Sequence, residues 1–445
     1  MANKQPVDIW FIDPMKRFIN NSSMSGIVLF SSALLALIIA NSPWEEAYHQ
    51  IWKHKFSIGY DNYVVSKNLQ HWINDGLMAV FFFVIGLELK RELIAGELST
   101  PKNAILPIVA ALGGMVVPAL VYVFFNNGLS TMSGWGIPMA TDIAFALGIL
   151  YLLGDKVPLS LKVFLTALAI ADDLGAVLVI AFVYTSNIDL ANLLIGGLFM
   201  AVLLIANRIG VRNTVFYAII GIGGLWFAFL LSGVHATIAA VLAAFTIPAK
   251  VKIEGKDFKA KIDNLIKRFS DAETDDSPMV TQEQYYILEE VKDTTTKALT
   301  PLQRLEHRLH PLVSFVIMPI FAFSNAGINL SGIEADDVLS PVTLGVTLGL
   351  LIGKFVGITG LVYVLKKLKI VTLPSDLSMR HISAAGFLAA IGFTMSLFIT
   401  DLAFVDEEYI NQAKVGILGA SLIASLLGYA LIATSKNSSE AAQTN

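Results

Sequence analysis

Residues 159–184 read LSLKVFLTALAIADDLGAVLVIAFVY, an apolar run that carries two adjacent acids, Asp172 and Asp173, at its centre with no basic residue beside them. As a helix rising ~1.5 Å per residue, the run crosses a bilayer, and each acid then lies about 20 Å from either end. A carboxyl at that depth costs ~2.5 to 3.5 kcal/mol on insertion scales, so intramembrane acids mark ion or proton pathways by default. The rest of the chain has to accommodate that pair.

Hydrophobic residues make up 55% of the 445 residues and charged ones only 15%, too little polar side chain to coat a soluble protein of this size. The composition defines a polytopic membrane protein. A net charge of -4, with basic residues scattered among loops, argues against nucleic acid as a partner. The chain has no cysteine, which removes disulfides, thiol catalysis and thiolate metal sites. No cofactor is implied. The N-terminus has basic residues before an apolar run but no small-x-small cleavage site, and it reads as a retained first helix.

Twelve apolar segments are expected as spans, at about 24–40, 71–89, 104–125, 134–153, 159–184, 190–206, 213–231, 233–249, 311–330, 341–365, 380–400 and 411–433. All but five of the 31 Lys and Arg fall on one side of that pattern; Lys53, Lys55, Lys67 and Lys414 fall on the other, and Lys354 lies inside a span. The positive-inside rule then places both termini in the cytoplasm. The external stretch 53–67 alternates apolar and polar residues around Gly-Tyr-Asp-Asn, which suggests an amphipathic hairpin; alone it is marginal in water, so it packs either on its own loops or on a second subunit as a homodimer contact. Residues 250–310 form a charged cytoplasmic insert, partly helical or mobile, between spans 1–8 (residues 1–249) and spans 9–12 (residues 311–433). The tail 434–445 reads as disordered.

Two further ionisable groups share the depth of the pair. Asp142 follows Pro138, Ala140 and Thr141 in GWGIPMATDIAFALGIL. A proline there interrupts the helix, which a membrane tolerates only where freed backbone lines a cavity or binds something. Lys354 lies among glycines in LGLLIGKFVGITG, where helices can approach closely. Three acids and one base at the midplane cost roughly 10 to 14 kcal/mol before pairing. Helix neighbours point ~100° apart, so one acid of the pair can meet Lys354 while the other faces water and a cation. Late in the chain, Gly-Phe-Thr in HISAAGFLAAIGFTMSLFIT marks a second candidate break. The expected fold is therefore all-α, with three-helix units at about 104–184 and 341–433 as inverted-topology repeats, each with a discontinuous middle helix and binding at the midplane.

The strings FFFVIGLELKREL, ATDIAFALGIL, LAIADDLGAV, SGVHATIAAV, LEHRLHP followed by FAFSNAGI, LLIGKFVGI and IGFTMSLFIT, in this order, resemble the bacterial NhaA-type sodium/proton antiporters over nearly the whole chain. Inverted repeats are already a known property of that family. The resemblance implies that Asp173 binds sodium and exchanges it for a proton, with Asp172 beside it and paired to Lys354, and with Asp142 and Thr141 at the crossing of two broken helices. There Asp142 would balance positive helix ends and Lys354 negative ones. It also implies a pH-sensing region at Glu88, Arg91, Glu92, Glu306 and His307, with Lys90 and His310 alongside, and a pH-linked role for His235. Expected partners are Na+, Li+ and H+ as cargo and the lipid bilayer of the bacterial inner membrane.

The chemistry is consistent with that assignment. Sodium is a hard cation that wants oxygen ligands, and a metal and a proton cannot occupy one carboxylate together. Electrogenic exchange needs a second titrating group, Asp172 or Lys354. Asp75, with His71 and Asn74, is expected to gather water at the external mouth. Three rivals remain: a solute symporter, which needs a roomy apolar and hydrogen-bonding cavity; an aspartyl hydrolase, whose Gly-x-Gly-Asp is missing; and an ion channel.

Overall fold

The computed structural model describes residues 22–60, 63–185, 188–272, 279–330 and 335–435. Outside them fall the turn of the hairpin, a link within the insert, and most of the tail read as disordered. The molecule is a helical bundle with a single two-stranded sheet among the described residues. Helix α1 (Ser22–Ala40) is followed, after a sharp bend of 114°, by α2 (Glu45–Lys53). Strands β1 (Lys55–Tyr60) and β2 (Tyr63–Asn68) then pair antiparallel, with Lys55 opposite Asn68 and Tyr60 opposite Tyr63. The hairpin is present where the alternating pattern predicts it.

A short helix from Leu69 and a π-turn at Ile73–Leu77 lead into α3 (Met78–Ala95). Next come α4 (Pro101–Asn126), a tight 3-10 segment (Ser130–Met139), α5 (Ile143–Leu152) and α6 (Leu159–Val183). Helices α7 (Leu190–Arg208), α8 (Thr214–Ser232) and the short α9 (Ala236–Thr246) complete the first half. The insert supplies α10 (Gly255–Asp271), α11 (Gln282–Ala298) and α12 (Pro301–Leu312), the last running through a π-turn into α13 (Met318–Asn325). The chain ends with α14 (Pro341–Lys367), α15 (Met379–Ala389), α16 (Phe393–Ala403) and α17 (Glu407–Ala433).

Each of the twelve apolar segments carries helix. Seven helices among the described residues are long and apolar enough to cross a membrane, and nine if two bent pairs each count as one span. The lower number has a physical cause: the segments at 71–89 and 311–330 run into charged turns, and that at 233–249 yields a helix of 11 residues.

Helix α4 is the central post, with α14 packed along it. Glycine permits their close approach: a Cβ on Gly113 would sit 2.3 Å from the carbonyl oxygen of Gly357, and one on Gly353 would sit 2.6 Å from the Cα of Pro118. That contact puts Lys354, at the end of a π-turn (Gly349–Lys354), into the interior, and π-turns often occur at functional positions. The insert has a small core of its own, Leu265, Ala272 and Ile287. Its two ends are held together by Arg212, which donates to the carbonyls of Lys250 at 2.7 Å and Leu299 at 2.9 Å. The partly helical alternative for residues 250–310 is therefore the one observed. We call the two ends of the bundle the insert end and the hairpin end.

Candidate functional site

Two interruptions meet at the centre of the bundle. In the first, the 3-10 segment gives way at Ala140, Thr141 and Asp142 to extended chain before α5 begins, as Pro138 predicts. In the second, α15 stops at Ala389 and α16 starts at Phe393 with a bend of 44°; the break covers residues 390–392 and ends on Gly392, the first residue of the Gly-Phe-Thr expected there. The freed backbone of each break is used by the other. The Asp142 amide donates to the Ile391 carbonyl at 2.7 Å, and the Ser396 hydroxyl donates to the Ile137 carbonyl at 2.8 Å. This mutual satisfaction lets irregular chain persist in a dry interior.

Asp142 caps two helices at once. One carboxylate oxygen accepts from the amide of Phe145 in the first turn of α5 at 3.0 Å; the other accepts from the amide of Thr394 in the first turn of α16 at 3.2 Å and from the Thr394 hydroxyl. A carboxylate facing two helix N-termini satisfies orphan donors and offsets two positive ends. The opposite ends are handled less directly than expected. Among the described residues Lys354 donates no hydrogen bond to a helix-terminal carbonyl; it donates to Asp172 and, at 2.6 Å, to the Thr141 hydroxyl. Thr141 lies within reach of both Asp172 (2.7 Å) and the last carbonyl of α15, Ala389 (2.8 Å), one of which takes its proton. Threonine thus connects the lysine to the helix end.

Asp172 and Asp173 sit mid-way along α6 and part company there. Asp172 spends one oxygen on Lys354 and Thr141. Asp173 spends neither: both its carboxylate oxygens are buried without a hydrogen-bond partner among the described residues, as is the second oxygen of Asp172. A buried polar oxygen left bare costs free energy unless something else satisfies it. Three such oxygens on consecutive residues, with a single lysine for the surrounding acids, are donors that a hard cation or a proton can satisfy. Lys354, Asp142, Asp172 and Asp173 all expose 2% or less of their surface. Among the described residues no cluster of three or more His, Asp or Glu side chains could hold a metal ion.

A cavity of about 410 Å³ opens toward this site from the insert end, lined by Glu88, Arg91, Glu306, His307 and His310 at its mouth and by Ala144 and Thr166 deeper in. It stops short of the carboxylates, two turns along α6 from Asp173. At the mouth, Arg91 pairs with Glu92 at 3.0 Å and with Glu306 at 3.4 Å. Burial pushes the Glu306 carboxyl above the ordinary glutamate value, with Arg91 pulling the other way; burial pulls His310 below the ordinary histidine value, helped by His307 and Arg91. Lys90 donates to the carbonyls of Phe245 (2.7 Å) and Ile247 (2.5 Å), closing the C-terminus of α9.

The structure therefore gathers Glu88, Arg91, Glu92, Glu306 and His307 into one cluster. It does not bring His235 to them. That residue precedes α9 at the hairpin end, where it feels the charges of Asp75 and His71, themselves paired at 2.8 Å. The sequence does not single out Asp401 or the burial of Lys414. Lys414, counted on the external side at the start of the span 411–433, is buried within α17, and its charge acts on Asp401 at the end of α16. The signal available was a carboxylate directly after the apolar run 380–400.

An all-α bundle of membrane-crossing helices, interrupted at a buried set of three acids and one lysine, defines a polytopic membrane protein with ionisable groups at its centre. Its sequence matches the family model described as Na+/H+ antiporter 1 over residues 16–432. It is 49% identical to the Na(+)/H(+) antiporter NhaA of Oleidesulfovibrio alaskensis over 97% of this chain and 96% of the relative. It is 47% identical to Na(+)/H(+) antiporter NhaA 1 of Saccharophagus degradans over 94% and 90%, and 46% identical to an NhaA of Helicobacter pylori over 93% and 94%. The chain belongs to the NhaA sodium/proton antiporter family.

Proposed function

We propose that this chain exchanges cytoplasmic Na+, or Li+, for external H+ across the bacterial inner membrane by competition of cation and proton for Asp173. The observation that carries the reading is the Asp173 carboxylate, buried with both oxygens unpartnered while its neighbour Asp172 is tied to Lys354. Bare oxygen at that depth is stabilised by Na+ or by H+ but not by both at once, so one-for-the-other exchange follows if the empty site resists reorientation. A second proton, carried by Asp172 or Lys354, makes the exchange electrogenic.

In this reading the bundle has twelve spans with both termini and the insert in the cytoplasm. The units at about 104–184 and 341–433 are inverted repeats that present the site alternately to each side. The cavity at the insert end makes the present conformation the one open to the cytoplasm. Glu88, Arg91, Glu92, Glu306 and His307 at its mouth adjust exchange to pH, and His235 acts from the other end. The hairpin of β1 and β2 contributes to a homodimer. The test is sodium-driven dissipation of an imposed acid-inside gradient in everted vesicles, read by a pH-sensitive dye across a pH series. The gradient should collapse on adding sodium, with no organic solute present, and Asp173→Asn should abolish the response. Retained exchange in that variant would reject the assigned ligand.

A further inference from the structure

The sides of the cavity belong to two bodies. Helices α3 and α12–α13 form one wall, and α5 and α6 form the other. Followed toward the hairpin end, the same seam is shut. Phe82 of α3, Phe321 of α13 and Phe398 of α16 are buried against one another, with Phe398 at 5.5 Å from Phe82 and 6.2 Å from Phe321 between ring centres. Beyond this aromatic layer comes a polar one. Asn74 donates to the Asp401 carboxylate at 2.7 Å, Asn325 donates to the Asn74 carbonyl oxygen at 3.1 Å, and Gln70 donates to Asn325 at 3.0 Å. Asn325 is fully buried and Asn74 nearly so.

The contact of Asn74 with Asp401 is the step across the seam. Gln70, Asn74 and Asn325 stand on the segment before α3 and on α13, whereas Asp401 stands on α16, the half-helix whose first turn is capped by Asp142. A movement that turned the crossing toward the hairpin end would have to part these residues. Asp401 therefore connects the ion site, through the rigid length of α16, to the seal above it. The charge of buried Lys414, on α17, acts on that carboxylate.

We propose that Asn74 and Asp401, backed by Asn325 and Gln70, form the latch that closes the hairpin side of the transport pathway in this conformation and opens when the site faces that side. The inference rests on the exchange reading above. It assigns Asp401 a positioning role: it touches no cargo and biases the two orientations of the site. A hydrogen bond to a charged group sets the ratio of two states by roughly tenfold, so breaking the latch favours the outward orientation by about that factor.

Because the chain has no cysteine, the double variant Asn74→Cys/Asp401→Cys carries the molecule's two thiols at the latch. Treated in proteoliposomes with a short bis-methanethiosulfonate, it should be bridged, stop exchanging sodium for protons, and recover on reduction. A pair that cannot be bridged, or that exchanges equally fast when bridged, overturns the latch. If the double variant fails to fold, the single variants Asn74→Ala and Asp401→Asn decide. Measured from both sides of oriented vesicles, Asn74→Ala should lower KM for sodium offered at the hairpin side relative to the insert side by roughly tenfold. Asp401→Asn, which can still accept from Asn74, should shift that ratio less. A merely structural role would lower the maximal rate from both sides and leave the KM ratio unmoved, which also overturns the proposal. Wild-type protein and Asp173→Asn are run alongside: wild type without sodium-driven exchange sinks the exchange reading, whereas active wild type with an inert bridge sinks the latch alone.

Discussion

The crossing at the bundle centre and the cluster at the insert end contain the same residue types, acids beside a base, under opposite conditions. At the crossing the charges are excluded from water, and nearly every polar atom is held by a partner from a distant part of the chain: Lys354 by Asp172, Asp142 by Thr394, Thr141 by Ala389. At the insert end Arg91 is partly exposed and shares two glutamates across a cavity mouth. Low dielectric makes each interaction at the crossing strong and each omission costly, so the bare oxygens of Asp173 are conspicuous there. At the cavity mouth the same omission would be filled by solvent. A site in which one acid has neither oxygen engaged, beside an acid tied to a lysine through one of its oxygens, is suited to taking up what it lacks; a cluster of paired charges at a cavity mouth is suited to modulation.

The comparison is broken most completely at Asp173. Asp173→Asn should eliminate sodium-driven proton movement in vesicles while the melting temperature of the purified protein stays the same or rises, because the carboxylate has no hydrogen bond to lose. Loss of folding together with activity would make Asp173 a structural acid like its neighbours. Lys354→Ala is the converse case. It leaves Asp172 buried without its countercharge, and breaking such a pair costs roughly 3 to 5 kcal/mol; thermal unfolding in detergent should show it as a large fall in melting temperature. An unchanged melting temperature would mean that Lys354 serves exchange without holding the crossing together.

Asp142→Ala removes the cap of two helices, at about 0.5 to 2 kcal/mol each. The expected loss is smaller than for Lys354 and should be confined to the breaks. Hydrogen exchange should quicken at Phe145 and Thr394, the amides that donate to Asp142, ahead of the flanking helices. Uniform quickening along α5 and α16 would show that the breaks hold without their cap.

The uneven legibility of these groups has a physical basis. Asp142, Asp172, Asp173 and Lys354 stand out because a charge in an apolar run is costly wherever the chain folds, so its cost can be read without knowing its partner. The first break is equally visible, since Pro138 acts on its own backbone. The division of labour between Asp172 and Asp173 is not visible from spacing, because it depends on Lys354, far along the sequence, and on a π-turn that no local pattern in GLLIGK announces. Asp401 and Lys414 stand at the ends of apolar runs, where a charge is ordinarily solvated; the bond from Asn74, 327 positions earlier, shows Asp401 engaged. Lys90 reads as a charge at a helix end until the C-terminus of α9 is seen against it.

The smallest effect expected lies at the cavity mouth. Burial holds the Glu306 carboxyl above the ordinary glutamate value of 4.5, with the charge of Glu92 adding to the shift and Arg91 opposing it. The folded protein therefore binds this proton more tightly than the unfolded chain. The resulting contribution to stability is present in full below the ordinary value and is lost as pH rises from there through the raised folded value. Glu306→Gln keeps the shape and removes the titration, so the variant should lose less stability than the parent over that window, and the two melting curves should run parallel at higher pH. His310, held below its ordinary value by burial, has the opposite sign: its contribution is present above the ordinary histidine value and is lost as pH falls through the lowered one. If Glu306 also modulates exchange, the pH profile of Glu306→Gln in vesicles shifts while that of Asp142→Ala loses amplitude without shifting. Identical profiles for Glu306→Gln and the parent would leave the cavity mouth a set of solvated ion pairs, and any pH response would then have to be sought at Asp173, the proposed place of competition between proton and sodium.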